Sequence, residues 1–420
     1  MSTLAQFDNM LNEFLPNALL MREFLDRQWL LKNAKQNMTW LGGTLIVPFQ
    51  GAGASTVKMG ALAAAADINQ AITVRGQVTA QPELWGSMKF YEKDLIRHGK
   101  VSEQNLLQIL PNQIDQFLKY VKNTVSLSIL NAAYFASATA SGTVGAGIAV
   151  DRPERFEVGQ PVVLQSGGAG PTKYWVKSVD LDYTSNVVVL ATDITLATVA
   201  DLSAFLLADS PRFYFDGMEQ TANQFTNLKS SLLSAANGGS STLYGVTKTA
   251  YPYTQAINID GSGFTAATFL DDLFKAMVKI RNRSNGNPDT FVMGWNLFAL
   301  VQIALQIEKG PYRMADAMNV SEYGFGEVTI IGPKGRAKIV AIQEMDYDYV
   351  MLMDMSAMTL YSNGGFRKRV DPGDGKQFFV VRNTDGFQYI VDIAFYGDLV
   401  LEAPNKCGII HSIPASLSAL

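Results

Sequence analysis

Catalysis needs particular residue types within reach of one another, and this sequence is short of the usual ones. It holds two histidines, His98 and His411, and one cysteine, Cys407. A zinc-type site takes three or four His or Cys ligands, so a His/Cys metal cluster is nearly excluded. A serine or cysteine triad would have to use one of the two imidazoles. His98 stands in DLIRHGK, a polar loop leading to a helix, and His411 in the apolar strand GIIHSI. Both read as structural filler.

Other chemical signals are equally thin. No stretch matches GxxxxGK[ST], and GAGAS, GTVGAG and GFGE fail the GxGxxG spacing, so their glycines serve turns and linkers. DPGDGK, Asp371 to Lys376, lacks the acidic ligand positions and terminal Glu of a calcium loop and reads as a tight surface turn. Asp271–Asp272, Asp346 and Asp348 give no reason to pair any two as an acid/base couple. No catalytic, cofactor-binding or metal residue is assigned, and the chain is not read as an enzyme. The strongest charge feature is FRKR, with Arg367, Lys368 and Arg369. It reads as a solvated loop flank, or as a contact for acidic neighbours or DNA phosphates. Three such charges add to nonspecific phosphate binding but read no bases.

Bulk properties agree. The chain has 420 residues, 48% hydrophobic and 17% charged, with a formal net charge of -4. That length buries a sizeable core and predicts more than one domain. The charge does not suit a bulk electrostatic nucleic-acid binder. A lone cysteine permits no intramolecular disulfide, which suits a reducing compartment. The start, MSTLAQFDNMLNEFL, lacks the basic and apolar regions of a secretory signal. The apolar run YIVDIAFYGDLVLEAP is interrupted by Asp392 and Asp398, so no membrane span is expected.

Four textures succeed one another along the chain. Residues 4 to 33 carry helical spacing, with Phe7, Leu11, Phe14, Leu15, Leu19, Phe24 and Leu25 at three- and four-residue steps and a kink or division at Pro16. This is either a packed terminal helix or an arm that reaches another subunit. Residues 44 to 97 read as a long hairpin, TLIVPF with ITVRGQVTA and SMKFYEKDL, around a small-residue tip. So little apolar payload makes an isolated ribbon marginal, so it is expected to lie on a partner. Residues 102 to 137 read as the longest helix, capped by Ser102, with Pro111 breaking it or starting a second segment. Its stripe is Ile114, Phe117, Leu118, Val121, Val125, Ile129, Leu130 and Ala133.

Next, valine-rich alternation between Gly142 and Pro211 predicts a small all-β unit, such as a little barrel. Beyond an irregular stretch, FTAATFLDDLFKAMVKIRNR and WNLFALVQIALQI read as helices. Short strands follow: VTIIG, AKIVAIQ, YVMLMD, MTLYS, FFVVRN and CGIIHSI. The fold class is α+β, helices on mixed sheets with a β insertion.

The order of these elements resembles the major capsid proteins of tailed bacteriophages, the Hong Kong 97-like fold. PDTFVMGWNLFALVQIALQ (Pro288 to Gln306) is similar to that family's strand-then-helix passage. EVTIIGPKGRAKIVAIQEMDYDYVMLMDMSAMTLY (Glu327 to Tyr361) resembles its continuation, and DIAFYGDLVLEAPNKCGIIHSI (Asp392 to Ile413) its ending. The resemblance covers most of the chain apart from residues 140 to 212. It implies an N-terminal arm at 1–43, an E-loop hairpin at 44–100 and the spine helix of a peripheral (P) domain at 101–139. An inserted β domain follows at 140–212, then an axial (A) domain with part of the P domain at 213–370, and closing P-domain strands at 371–420.

The function implied is a subunit that self-assembles, as hexamers and pentamers, into an icosahedral shell around double-stranded DNA. Its location would be the virion, with assembly in the host cytoplasm. The implied partners are other capsid subunits, a separate scaffolding protein, a portal and nonspecifically contacted DNA, with no membrane. Neither cleavage of the arm nor covalent crosslinking is expected. Arm residues Phe7, Leu11, Phe14 and Leu15 and ribbon residues Val74, Arg75 and Val78 are the expected inter-subunit contacts. Arg367, Lys368 and Arg369 are the candidate charge contact. An encapsulin-like nanocompartment and a phage tail or decoration protein are the alternatives.

Overall fold

The structure, a computed structural model, describes residues 21–22, 24–25, 28–50, 73–79, 82–91, 103–131, 134–143, 145–167, 170–180, 186–219, 225–284, 286–309, 328–332, 335–370, 375–376, 378–383, 386–414 and 417. Phe7, Leu11, Phe14 and Leu15 lie outside these residues. The later part of the arm packs on its own chain. Phe24 is buried with ring centroids 4.6 Å from Phe366 and 5.6 Å from Phe395, and helix α1 (Trp29–Asn33) buries Leu30 and Leu31.

Strand β1 (Lys35–Asn37) leads to β2 (Leu45–Gln50), which pairs antiparallel with β3 (Thr73–Val78), Leu45 opposite Val78 and Gln50 opposite Thr73. The tip, 51–72, lies outside the described residues. Strand β4 (Glu83–Tyr91), expected as part of the hairpin, instead joins the central sheet. Helix α2 (Glu103–Leu130) then runs for 28 residues, about 42 Å at the α-helical rise. Pro111 lies within it; the loss of one backbone hydrogen bond bends or weakens a helix without having to end it. Ile114, Leu118, Val121, Val125 and Ile129 are buried at the spacing read from the sequence.

The helix stops seven residues before the expected Ser137. Asn131, just past its end, turns its amide to the Glu344 carbonyl and accepts from the Asp346 amide. The chain then enters six antiparallel strands: β5 (Ala136–Ser137), β6 (Ile148–Ala149), β7 (Pro161–Gln165), β8 (Thr172–Val179), β9 (Val187–Ala191) and β10 (Arg212–Phe215). Their order is β5-β10-β7-β8-β9-β6. An antiparallel bridge between Ala138 and Val150, with Thr139 N–H donating to Ala149 at 2.8 Å, joins the two edges and closes a small barrel. Val162, Leu164, Val176, Val188, Leu190 and Phe213 fill it. The expected limits are therefore too narrow, since β5 and β10 close the sheet from outside them. Nor is the unit walled off. Phe215 meets Tyr120 of α2 at 6.1 Å, and barrel and helix share one contiguous apolar cluster.

After α3 (Leu228–Leu232) and the hairpin β11 (Thr242–Leu243) and β12 (Val246–Thr247) come β13 (Ile257–Asp260), α4 (Phe269–Ser284), β14 (Thr290–Met293) and α5 (Trp295–Lys309). They are followed by β15 (Val328–Gly332), β16 (Gly335–Ala341) and β17 (Val350–Met353). The chain returns to the central sheet with β18 (Met358–Ser362), β19 (Arg367–Lys368), β20 (Phe379–Asn383) and the 16-residue β21 (Gly386–Leu401), and ends in β22 (Gly408–His411). Strand β21 pairs with β18, β19, β20 and β4, and β1 runs parallel to β18. The last strand departs from the expected closing set. β22 lies between β13 and β17 in a second, mixed sheet of order β13-β22-β17-β14-β16-β15. Helices α4 and α5 cover that sheet with Phe269, Leu273, Met277, Leu297 and Val301 in a separate core.

Candidate assembly surfaces

Among the described residues the groups able to do chemistry are placed apart. Cys407 is fully buried, and burial pushes its thiol up to about 12, so it stays protonated and unreactive at neutral pH. His411 Nδ1 sits 2.9 Å from Ser412 Oγ in the second sheet. His98 and residues 371–374 of DPGDGK lie outside the described residues. Among the described residues no three His, Cys, Asp or Glu side chains gather as a metal site.

Asp346 and Asp348 do fall in a polar cluster, and its partners are cations. Arg155, on the barrel, donates to the Phe135 carbonyl at 2.7 Å, to the Glu344 carbonyl at 3.0 Å and to Asp346 Oδ1 at 2.8 Å. Lys229 of α3 bonds Asp348 at 3.1 Å and lies 4.3 Å over the Tyr349 ring. Tyr349 reaches the Leu130 carbonyl at 2.6 Å and Asn131 Oδ1 at 2.9 Å. Burial alone would raise the Asp346 carboxyl, but Arg155, Lys229 and Arg152 outweigh it and hold it below the usual carboxylate range. The cluster ties the end of α2, the barrel, α3 and the turn before β17 into one junction. Its carboxylate is paired and ionised, which suits a fastener rather than a proton-transfer site.

The ribbon stem has two faces. Val47, Phe49 and Val78 are buried, with Val74 packed beside them, against Trp40, Leu243, Val246 and Val400 of the same chain. Gly76 faces inward too; a Cβ there would meet the Phe49 ring at 2.8 Å. The expectation that the ribbon finds no surface in its own chain is thus corrected for its stem, and Val78 and Val74 serve intrachain packing. Arg75 is on the other face, with Thr73, Gln77, Pro48 and Ile46; Ile46 is 53% exposed.

The basic run is divided by strand alternation. Arg367 and Arg369 are exposed, while Lys368 is 5% exposed, because β19 pairs with Ile393 and Ala394 of β21 and turns alternate side chains inward. Lys368 therefore drops out of the expected contact surface. Arg369 approaches Asp392 at 3.9 Å and lies 5.1 Å from the Phe379 ring centroid. On the same sheet face Trp85 is 47% exposed, edge-on to Tyr396 at 5.7 Å.

No family model matches this sequence, and no curated protein matches it. Solved structures do align over most of its length. The cyanophage A-1(L) capsid asymmetric unit covers 92% of this chain and 92% of its own, at 11% identity and a TM-score of 0.45. The capsid of an empty GTA particle covers 91% and 95%, at 11% and 0.41. The SrpI encapsulin complex from Synechococcus elongatus covers 92% and 88%, at 7% and 0.39. At TM-scores below 0.5 these likenesses assign nothing to the chain.

Sequence reasoning missed Arg155, Tyr244 and Asp398. None of the three carried a local signal: Tyr-Gly is not among the residue pairs that mark a two-residue hairpin turn.

Proposed function

We propose that this chain is a major capsid protein of the tailed-phage type, a shell subunit that self-assembles around double-stranded DNA. The observation that carries the reading is the two-faced ribbon stem. Its inner face is seated on the subunit, and its outer face presents Ile46 and Arg75. The subunit seats only one side of this paired ribbon, so the side with Ile46 and Arg75 is left open for a neighbouring copy. The layout agrees: β1, β4 and β18 to β21 form a central sheet, the ribbon springs from it between β1 and β4, and a second sheet forms a separate body. The polar junction at Asp346 ties the barrel, the end of α2, α3 and the turn before β17 together within the subunit.

In this reading the subunit forms hexamers and pentamers of a closed head, uses a separate scaffolding protein and a portal, and becomes part of the virion after assembly in the host cytoplasm. Arg367 and Arg369 touch packaged DNA through phosphates only. Phe7, Leu11, Phe14 and Leu15 reach a neighbouring subunit. The test is negative-stain microscopy of the expressed protein, with and without a candidate scaffolding partner. Closed shells of uniform size are expected. Tubes or trimers would replace this reading with a tail or decoration role, and shells that co-purify with a protein cargo would replace it with a nanocompartment.

A further inference from the structure

One residue beneath the ribbon is held in an unfavourable conformation by three separate elements. Tyr244 and Gly245 are the central residues of the hairpin between β11 and β12, with φ of 49° and 79°. Two positive φ values are the signature of a type I′ turn, whose first position favours Asn, Asp or Gly. A bulky aromatic residue there is strained and persists only where its surroundings over-determine it.

Those surroundings are specific. The Tyr244 carbonyl accepts the Gln77 amide of β3 at 2.8 Å, and its ring stacks on Phe49 of β2 at 6.2 Å and 3°. Its hydroxyl accepts the Leu401 amide of β21 at 2.8 Å and meets the Thr226 hydroxyl. Thr226 Oγ1 in turn lies 2.5 Å from Asp398 Oδ2, and Asp398 Oδ1 accepts the Thr226 and Leu399 amides at 2.7 and 2.8 Å. A chain of hydroxyls therefore runs from a buried carboxyl to the residue on which the ribbon rests.

We propose that Asp398, Thr226 and Tyr244 form a proton-linked latch that sets how firmly the ribbon stem is seated. The inference stands independently of the shell reading. With Asp398 ionised, Thr226 must donate to the carboxylate and Tyr244 to Thr226. With Asp398 protonated, the acid donates to Thr226, which turns its own proton toward the Tyr244 oxygen, and the Tyr244 hydroxyl must turn its proton away from Thr226. One proton thus reverses the chain. Asp398 is 2% exposed, and burial raises its carboxyl to about 7, against the lowering effect of the Thr226 and Leu399 bonds. The ionised form is the costly one, and it is relieved when the turn opens to water.

The other titratable groups nearby are accounted for. Tyr361, opposite Asp398 on β18, donates to Glu402 at 2.8 Å. Glu402 is the second carboxylate felt by Tyr244. Lys248 on the hairpin side turns its ammonium to the Ser230 and Leu233 carbonyls, and burial lowers it to about 8. Below pH 8 it remains charged.

The sign follows. A carboxyl raised from 3.8 to about 7 binds its proton more tightly when closed. Opening therefore becomes roughly tenfold easier per pH unit across that window and levels off above it. Hydrogen exchange by mass spectrometry on the full chain between pH 5 and 7.5, corrected for intrinsic rates, reads this over peptides covering 73–79 and 396–402. Both are expected to share the slope, and Asp398→Asn to flatten both. A flat ribbon peptide beside a sloping 396–402 peptide overturns the proposal, as does a slope that survives Asp398→Asn. Tyr244→Phe tests the same link without touching the carboxyl. The 396–402 slope should persist and the ribbon slope vanish; a ribbon slope that persists also overturns the latch.

Discussion

The guanidinium of Arg155 lies 2.8 Å from the carboxylate of Asp346, across 191 residues of sequence. It joins the barrel by charge to the turn before β17. Arg155→Ala removes this pair and two carbonyl bonds, and is expected to cost about 2–4 kcal/mol in urea unfolding. Arg155→Lys should recover only part, because one ammonium cannot replace a planar fork. Asp346 is held below 3.8 in the folded state, so its contribution is full above that pH and lost as pH falls through the lowered value. The wild type should therefore lose more stability on acidification than Arg155→Ala does.

Gly86 of β4 is expected to tolerate no side chain. A Cβ there would sit 2.2 Å from the Phe117 ring of α2, so Gly86→Ala must push that half-buried ring out of its place between helix and sheet. Overpacking of this kind costs about 1–3 kcal/mol. Adding Phe117→Leu should restore part of the loss, and a double-mutant cycle by thermal unfolding measures that coupling.

The basic run should separate by exposure. Lys368→Ala is expected to lower the unfolding midpoint. Arg367→Ala and Arg369→Ala should leave stability within about 0.5 kcal/mol. If these arginines meet phosphates, retention on duplex DNA should fall, with the salt slope reduced by ~1 for each. Equal effects of all three on DNA retention would contradict this division.

On the ribbon, Ile46→Asp and Arg75→Glu change only the outward face. Unfolding of the isolated subunit is expected to stay close to wild type while shells fail to form. Val78→Asp should instead unfold the stem. Sedimentation and microscopy of the same preparations distinguish the outcomes, and shells of normal yield from Ile46→Asp would count against the ribbon as a contact.

Periodicity exposed the local elements well. The α2 stripe from Ile114 to Ile129, the alternating valines of the barrel and the apolar face of α4 are all legible, because each depends on neighbours a few residues away. Pairing across long stretches was not. Sequence alone joins β4 to the ribbon because its true partner lies some 300 residues downstream, and β22 to the central sheet because its neighbours Ile257 and Met351 are remote from one another. The end of α2 escaped for a similar reason, since Asn131 is drawn out by Glu344 and Asp346. Asp398 looked like an interruption of an apolar run, and Lys368 like part of a solvated one. Both are interior groups whose hydrogen-bonding environment exists only in the folded chain.

The long strand β21 also sets a timetable. Ser87 and Asp392, bonded at 2.6 Å, are 305 residues apart, and Val400 of the same strand lies under the ribbon. At about 5–20 residues per second, a ribosome takes roughly 15–60 s to travel from one to the other. Throughout that interval β4 lacks its mate on β21, and the floor of the ribbon, which gains Leu243 and Val246 partway, still lacks Val400. The seat of the ribbon is therefore complete only near the end of synthesis, although the ribbon itself is among the first elements made.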